Sequence, residues 1–338
     1  SLVENEYIES RVVTEEGRDM PWKAYKGPFT NEKLNEFNDS KWSLVTHGLN
    51  HYYTQLADLE KLVEFLPKWL FDDIMVTYSQ PFSSVGPHID HYNVFILQGK
   101  GKKVWRLEEG ASEEYREGLD LRILKNFDPT IDWTLEPGDM VYIPPSVAHH
   151  GIPQEEGYSI SIGFKAFDFD DIVSGFFQNA LEEYKSSDYF KNPKQKIVKN
   201  PYKIDDDCTD LMMSILQKEL FNKDVIKNWL GKYMTEPRYA PDTEDEVSFE
   251  EFCEELEDGR SLFREEYIRF NYVDNEDMRK LYVNGFVFDV TAPQYDLIES
   301  YLSVRAMDSI SYDYSTMDES ILKIMFSLFE KGVVFLSE

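Results

Sequence analysis

The sequence is short of cysteine, of basic charge and of long apolar runs, and each shortage removes a class of explanation. Only Cys208 and Cys253 occur in 338 residues. They are far apart and outside any CxxC spacing, which excludes a disulfide framework and a thiolate zinc site. Lys and Arg number 35 against 64 Asp and Glu, a formal net charge of −29. Nucleic acid and anionic membrane are therefore poor partners, because phosphate binding needs clustered cations. A Lys/Arg-rich protein or peptide is a good one, drawn in by electrostatic steering; the plainer reading is that acidity keeps the chain soluble. No apolar run approaches the ~20 residues of a membrane span, and no signal-peptide pattern opens the chain. The chain reads as a soluble protein of a reduced compartment, the cytoplasm. It contains no internal repeat and no low-complexity tract.

What is present suffices for packed cores: 42% of residues are hydrophobic and 15% aromatic, in a length that fits two or three domains. Residues 1–35 are mixed polar, with a short alternating Arg11-Val12-Val13-Thr14 and a Gly27-Pro28 break. The spacing of Leu44, Leu49, Leu56, Leu59, Val63 and Leu66 predicts a helix from Trp42 to Trp69, stopped near Pro67. Ile74 to Ser79 has strand composition. Strand-like runs follow at 94–98, 102–107, 140–144 and 158–164, divided by Gly, Pro and Asp turns. Such short strands without intervening helices predict a barrel or sandwich rather than a doubly wound sheet. Helices are predicted at 168–190 and 209–234, and 236–259 reads as a solvated acidic linker. Leu281 to Phe288 predicts a hairpin with a type I′ turn at Asn284-Gly285. Helices at about 294–305 and 317–331 and a strand at Val333-Val334-Phe335 close the chain.

The six histidines all lie at or before residue 150, so a histidine-based metal site belongs to the first domain. In Gly86-Pro87-His88-Ile89-Asp90, a strand would project His88 and Asp90 to the same face. With one more histidine they form the two-histidine, one-carboxylate set that holds ferrous iron and leaves positions open. His149, after Ile143-Pro144-Pro145-Ser146-Val147-Ala148, is the natural third ligand; His150 is its neighbour, and strand alternation lets one of the two face inward. His91 is expected to point away from His88. His47 and His51, four apart on the predicted helix, have ligand-compatible spacing but read as partly exposed helix residues. Lys100, Lys102 and Lys103 read plainly as solvent-facing. An inward Lys103 would need an anion, and a dicarboxylate whose other end chelates the metal supplies one, with Ser161 adding a hydroxyl hydrogen bond.

In combination these motifs, Gly-Pro-His-x-Asp, Asn-Val-Phe-Ile-x-Gln-Gly, Lys-x-Trp-Arg and Glu-Pro-Gly-Asp-Met-Val-Tyr-Ile-Pro-Pro with its following histidine, resemble the JmjC-type ribosomal oxygenases. The likeness is to the bacterial branch, arginine hydroxylases of the sixteenth large-subunit ribosomal protein, and covers most of the chain, including Ile172 to Phe176 and Gly332 to Leu336. The resemblance implies an α+β chain: a double-stranded β-helix (jelly-roll, cupin) catalytic domain over 1–166, a helical dimerisation region over 167–235, and a winged helix over 260–338. It implies Fe(II) held by His88, Asp90 and His149, with O2 and 2-oxoglutarate as cosubstrates. It places Lys103 at the 2-oxoglutarate anchor, where bacterial relatives often carry Arg, and matches Ser161 to a hydroxyl position on the last barrel strand. The family has a further N-terminal segment, expected to be missing here. The implied partner is a basic ribosomal protein, with a homodimer expected and no direct DNA binding by the winged helix. A histidine hydroxylase or demethylase shares the same iron site, and an acidic adaptor with a retained barrel is the non-enzymatic alternative.

Overall fold

Described in this computed structural model are residues 2–15, 22–38, 40–183, 200, 202–204, 206–237, 247–275, 278–303 and 317–336. The chain divides into two compact units, Ser1–Ala166 and Phe167–Glu338.

Strands carry the first unit. In chain order they are β1 (Ser10–Glu15), β2 (Trp22–Lys26), a short helix α1 (Asn31–Asn35), β3 (Lys41–Thr46), a short helix α2 (Thr54–Ala57) and β4 (Phe71–Ser79). There follow β5 (His88–Ile89), β6 (Val94–Lys100), β7 (Lys103–Glu108), β8 (Ile131–Leu135), β9 (Met140–Ile143), β10 (Ala148–Pro153) and β11 (Gly157–Phe164). They form one sheet in the order β2-β1-β3-β4-β11-β6-β9 and a second in the order β5-β10-β7-β8. From β4 to β7 the chain changes sheet at every connection, and after the β7–β8 pair it changes back at every connection to β11. That path is a double-stranded β-helix. Val94, Ile96, Val141 and Ile143 of the first sheet pack with Trp105, Leu107 and Leu135 of the second, so the two sheets share one interior. Period-two alternation puts Ile160 and Ile162 of β11 on the opposite face, packed with Val63 and the helical turns around Leu56, Leu59 and Leu66.

The expected helix over 42–69 is corrected. Lys41–Thr46 is a strand paired on both sides, to β1 and to β4, and the rest is short turns of 3-10 and α-helix. Two flanking strands outweigh a loose helical spacing of leucines, since pairing and burial override local propensity. Gly48, at φ +67, ends the extended run. The strands β2, β5, β8 and β10 also lie outside the runs read from composition, and β1 contains the short alternating piece at Arg11 to Thr14.

The second unit opens with α3 (Phe169–Glu183), α4 (Asp206–Glu219) and α5 (Lys223–Thr235). The single helix expected over 209–234 is therefore two. The Asn222 side chain accepts from the backbone N–H groups of Asp224 and Val225 and so starts α5. The end of the helix predicted to reach residue 190 lies outside the described residues. Phe176, Ala180 and Trp229 pack α3 against α5.

The remainder is α6 (Phe249–Glu257), β12 (Leu262–Arg264), β13 (Phe270–Asn275), β14 (Met278–Val283), β15 (Phe286–Thr291), α7 (Ala292–Leu302), α8 (Glu319–Glu330) and β16 (Val334–Leu336). The Asn284-Gly285 hairpin is present, with φ +47 and φ +80 at the two turn residues, as a type I′ turn requires. The closing strand pairs with β12. The acidic linker is corrected in part: Phe249–Glu257 is a helix with a Ser248–Glu251 capping box. Its Phe252 and Leu256 lie in one core with Leu281, Ile298, Leu328 and Val333. The dense glutamates sit on the outer face and mask an apolar stripe. Phe252 is fully buried, so Phe252→Ala is expected to destabilise the second unit by about 3–5 kcal/mol in denaturant unfolding. A loss of only a few tenths would return the segment to linker status.

Candidate metal centre

Two residues of ladder assemble the centre. β5 pairs with β10 through Ala148↔Ile89 and His149↔His88, which sets the two histidines side by side with ring centres 4.3 Å apart. Asp90 follows on the His88 face. Its Oδ2 lies 3.7 Å from His88 Nε2 and 3.5 Å from His149 Nε2, and one ligand atom from each residue falls within 4.8 Å of the others.

The local backbone decides which ring nitrogen faces the centre. His88 Nδ1 is 2.9 Å from the Gly86 carbonyl and His149 Nδ1 is 3.0 Å from the Val147 carbonyl. A carbonyl only accepts, so each Nδ1 carries the proton and each Nε2 presents a lone pair, the arrangement that outer hydrogen bonds impose on metal-binding imidazoles. Burial first, and then the neighbouring His149, lower the His88 pKa to about 4 against the pull of Asp90, which keeps the ring neutral. Burial opposes ionisation of Asp90, but the neighbouring His149 and His88 rings and the Tyr92 hydroxyl outweigh it and bring its pKa to about 2. Two imidazole nitrogens and an ionised carboxylate are the donor set that a divalent first-row ion takes.

Also in the interior is Lys103, 6% exposed. Alternation along β7 turns it inward, while Lys100 and Lys102 pair with Glu156 and Glu136 at the surface. Its Nζ donates to Ser159 Oγ at 3.1 Å and lies 4.8 Å from the Trp105 ring centre. Burial lowers its pKa to about 8. Among the described residues no carboxylate pairs with it. Gly151, opposite Trp105 in the ladder, makes the room: a Cβ there would stand 2.6 Å from Lys103 Cε and 2.9 Å from the Trp105 ring.

Residues 58–172 match the JmjC domain, and residues 214–335 match the ROXA-like winged helix. Along 97% of its length the chain is 28% identical to the ribosomal protein uL16 3-hydroxylase of Escherichia coli, covering 86% of that protein. A crystal structure of E. coli YcfD superposes with a TM-score of 0.82 at 28% identity, over 99% of this chain and 89% of that one. The structure of YcfD, a ribosomal oxygenase, in complex with cobalt and 2-oxoglutarate superposes with a TM-score of 0.79, also at 28% identity, over 100% and 89% of the two chains. The chain thus joins a JmjC domain to a ROXA-like winged helix and resembles the ribosomal oxygenases over nearly its whole length.

Within this JmjC fold the other singled-out residues fall as follows. Ser161 is buried on the Ser159 face of β11, and the serine bonded to Lys103 is Ser159. The two share a face and differ by one alternation, so sequence parity did not separate them. His91 lies 3.4 Å from Glu113, half-exposed. His47 is not on a helix but follows β3, its Nδ1 3.2 Å from Asp73 Oδ2, and His51 ends a 3-10 turn. Three residues escaped the sequence reading: Tyr92, hydrogen-bonded to Asp90; Ser159; and Asp73, a buried carboxylate that acts electrostatically on Tyr92 and accepts from the Gly48 N–H. Only the proximity of Tyr92 to Asp90 in sequence signalled any of them.

The lowered histidine pKa values fix a pH response of the metal-free protein. His88 and His150 both fall from 6.5 to about 4 on folding, burial being the leading cause in each. Between those pH values the unfolded chain takes up protons that the folded one refuses, so stability decreases as pH falls from about 6.5 toward 4. The urea midpoint of metal-free protein is expected to drop over that window, and to drop less in a His88→Asn, His150→Asn variant.

Proposed function

We propose that the chain is a ferrous-iron- and 2-oxoglutarate-dependent oxygenase that hydroxylates a ribosomal protein. One observation carries this reading: two imidazole Nε2 atoms and the Asp90 carboxylate converge in a barrel that also holds a buried lysine, bonded among the described residues to a hydroxyl and to no carboxylate. A dicarboxylate answers both halves, with one end on a metal at His88, Asp90 and His149 and the other on Lys103. Its carboxylate gives Lys103 the counter-charge that burial demands. Ser159 and Ser161 add hydroxyls on the same face. Iron and 2-oxoglutarate, when bound, supply the oxidising power that puts an oxygen atom from O2 into a C–H bond. The protein's own share is placement. The Gly86 and Val147 carbonyls aim the imidazoles, Tyr92 holds Asp90, and Lys103 selects an anion.

The preferred target is an arginine side chain of the sixteenth large-subunit ribosomal protein, uL16, met in the cytoplasm. The uL16 hydroxylase of E. coli supports the protein, and the negative potential that the buried Asp73 adds at Tyr92 favours a cationic side chain. The net charge of −29 favours a basic protein partner and a winged helix that contacts protein rather than DNA.

Fragment mass spectrometry of purified uL16 treated with the enzyme, iron, 2-oxoglutarate and O2 should show one added oxygen on arginine. An oxygen on histidine, or loss of a methyl group, would assign the alternative activities, and 2-oxoglutarate binding without iron dependence would mark an adaptor. His88→Ala or Asp90→Ala is expected to abolish substrate-stimulated 2-oxoglutarate turnover, and substantial residual turnover would refute the ligand set. Lys103→Ala should raise KM for 2-oxoglutarate, whereas Asp73→Asn should lower uL16 turnover and leave 2-oxoglutarate binding intact.

The same reading includes a homodimer through the helical region. Phe169, Val173, Phe177 and Leu181 recur every four residues along α3 with 86%, 52%, 41% and 79% of their surface exposed, an apolar stripe that a second copy would cover. Sedimentation equilibrium should give twice the chain mass, and Phe169→Glu with Leu181→Glu should give the chain mass.

A further inference from the structure

His149 and His150 stand next to each other on β10, and alternation sends them to opposite faces. His149 faces the centre. His150 faces the loop that leads into β5, where its Nε2 lies 3.0 Å from Ser84 Oγ. Ser84 is buried, and its hydroxyl is already taken on its accepting side. The Gly86 N–H donates to it at 3.2 Å and the Trp22 indole N–H at 3.4 Å. The remaining capacity of that hydroxyl is its own proton, which goes to His150 Nε2. His150 is thus the acceptor that ends the chain, with its own proton on Nδ1.

From Ser84 the chain runs on to the metal centre. Gly86 gives its N–H to Ser84 and, from the next peptide unit, its carbonyl to His88 Nδ1, at 2.9 Å. Gly86 has φ +82, and a Cβ there would meet Ile123 at 2.5 Å and the Trp22 ring at 3.1 Å. The loop is therefore clamped at the residue whose carbonyl aims the His88 ring. On the other side Phe127 stands with its ring centre 6.1 Å from that of His150, which seats the imidazole.

We infer that His150 is a positioning residue for the metal centre: through Ser84 and Gly86 it fixes the carbonyl that orients His88. One strand would then serve both imidazoles of the ligand set, His149 directly and His88 at one remove. The inference rests on the proposed metal site for its consequence, but the orientation of His88 is a property of the metal-free protein as well.

Two measurements test it. In metal-free protein, nitrogen-15 spectra of the imidazoles should show His88 as a single Nδ1-protonated tautomer. His150→Phe, which keeps the ring and removes the acceptor, should replace that signal by a mixture of tautomers. In anaerobic titration with Co(II), the same variant should bind about 10- to 100-fold more weakly, the usual effect of losing an outer hydrogen-bond partner, with a changed visible absorption spectrum. His150→Gln supplies a carbonyl acceptor and should restore most of the affinity. Ser84→Ala should weaken binding alone, yet add little in the His150→Phe background, because both changes cut one chain. A His150→Phe protein with the wild-type tautomer and Co(II) affinity overturns the inference, as does a His150→Gln protein no better than His150→Phe. Should His150→Phe fail to fold, Ser84→Ala carries the same two readings. A wild-type protein that takes up no Co(II) refutes the metal site instead, and the nitrogen-15 arm still decides the role of His150.

Discussion

The pairing of β5 with β10 is the constraint on which the site depends. Two residue pairs, Ile89 with Ala148 and His88 with His149, join segments far apart in sequence and fix the distance between the imidazoles. Everything around them supports that register. Ala148 is fully buried, and Ile89 lies nearly so beside Leu124, so a slip of one residue would turn His149 away and push His150 inward. The carbonyls of Gly86 and Val147 then convert the register into ring orientation. Strand geometry supplies the distance, and the turns at either end supply the tautomer.

The charge inside the barrel follows a similar economy of position. A lysine brought into a packed interior is tolerated because Ser159 accepts a hydrogen bond from it and the face of Trp105 lies beneath the ammonium, a cation–π contact that strengthens as water is removed. Gly151 leaves space that any larger residue would fill. The result is a cation held short of full satisfaction, facing inward, while neighbouring lysines settle into surface pairs with glutamates. Lys100, Lys102 and Lys103, in one turn-and-strand segment, thus have two different fates.

Much of this was legible in the amino-acid order, and the gaps have physical causes. His88, Asp90 and His149 could be grouped because alternation and the Pro-Pro turn are local signals, and the strands β4, β6, β7, β9 and β11 announce themselves by β-branched and aromatic runs. The Asn284-Gly285 turn is equally local. What escaped depends on long-range pairing. β3 has the local pattern of a helix, and its extended state comes from flanking strands that no local pattern reveals. Ser159 and Ser161 share parity, so only the strand register tells which one meets Lys103. Asp73 and Tyr92 lie on different strands and connections, and their meeting is a fact of tertiary structure. The helix α6 was hidden for the opposite reason: its local composition is so acidic that four apolar positions, Phe249, Phe252, Cys253 and Leu256, were lost among glutamates.

The shortness of β5 has one further consequence. It is the terminal strand of its sheet and only two residues long, so among the described strands it is bonded on one side alone. Such an edge can fray without unfolding the barrel, at a local free energy well below that of the whole domain. An ion seated on His88 and His149 would tie that edge down, and its residence time would in turn be governed by how often the edge lifts. Tight chelation and slow local breathing would then be two descriptions of one event.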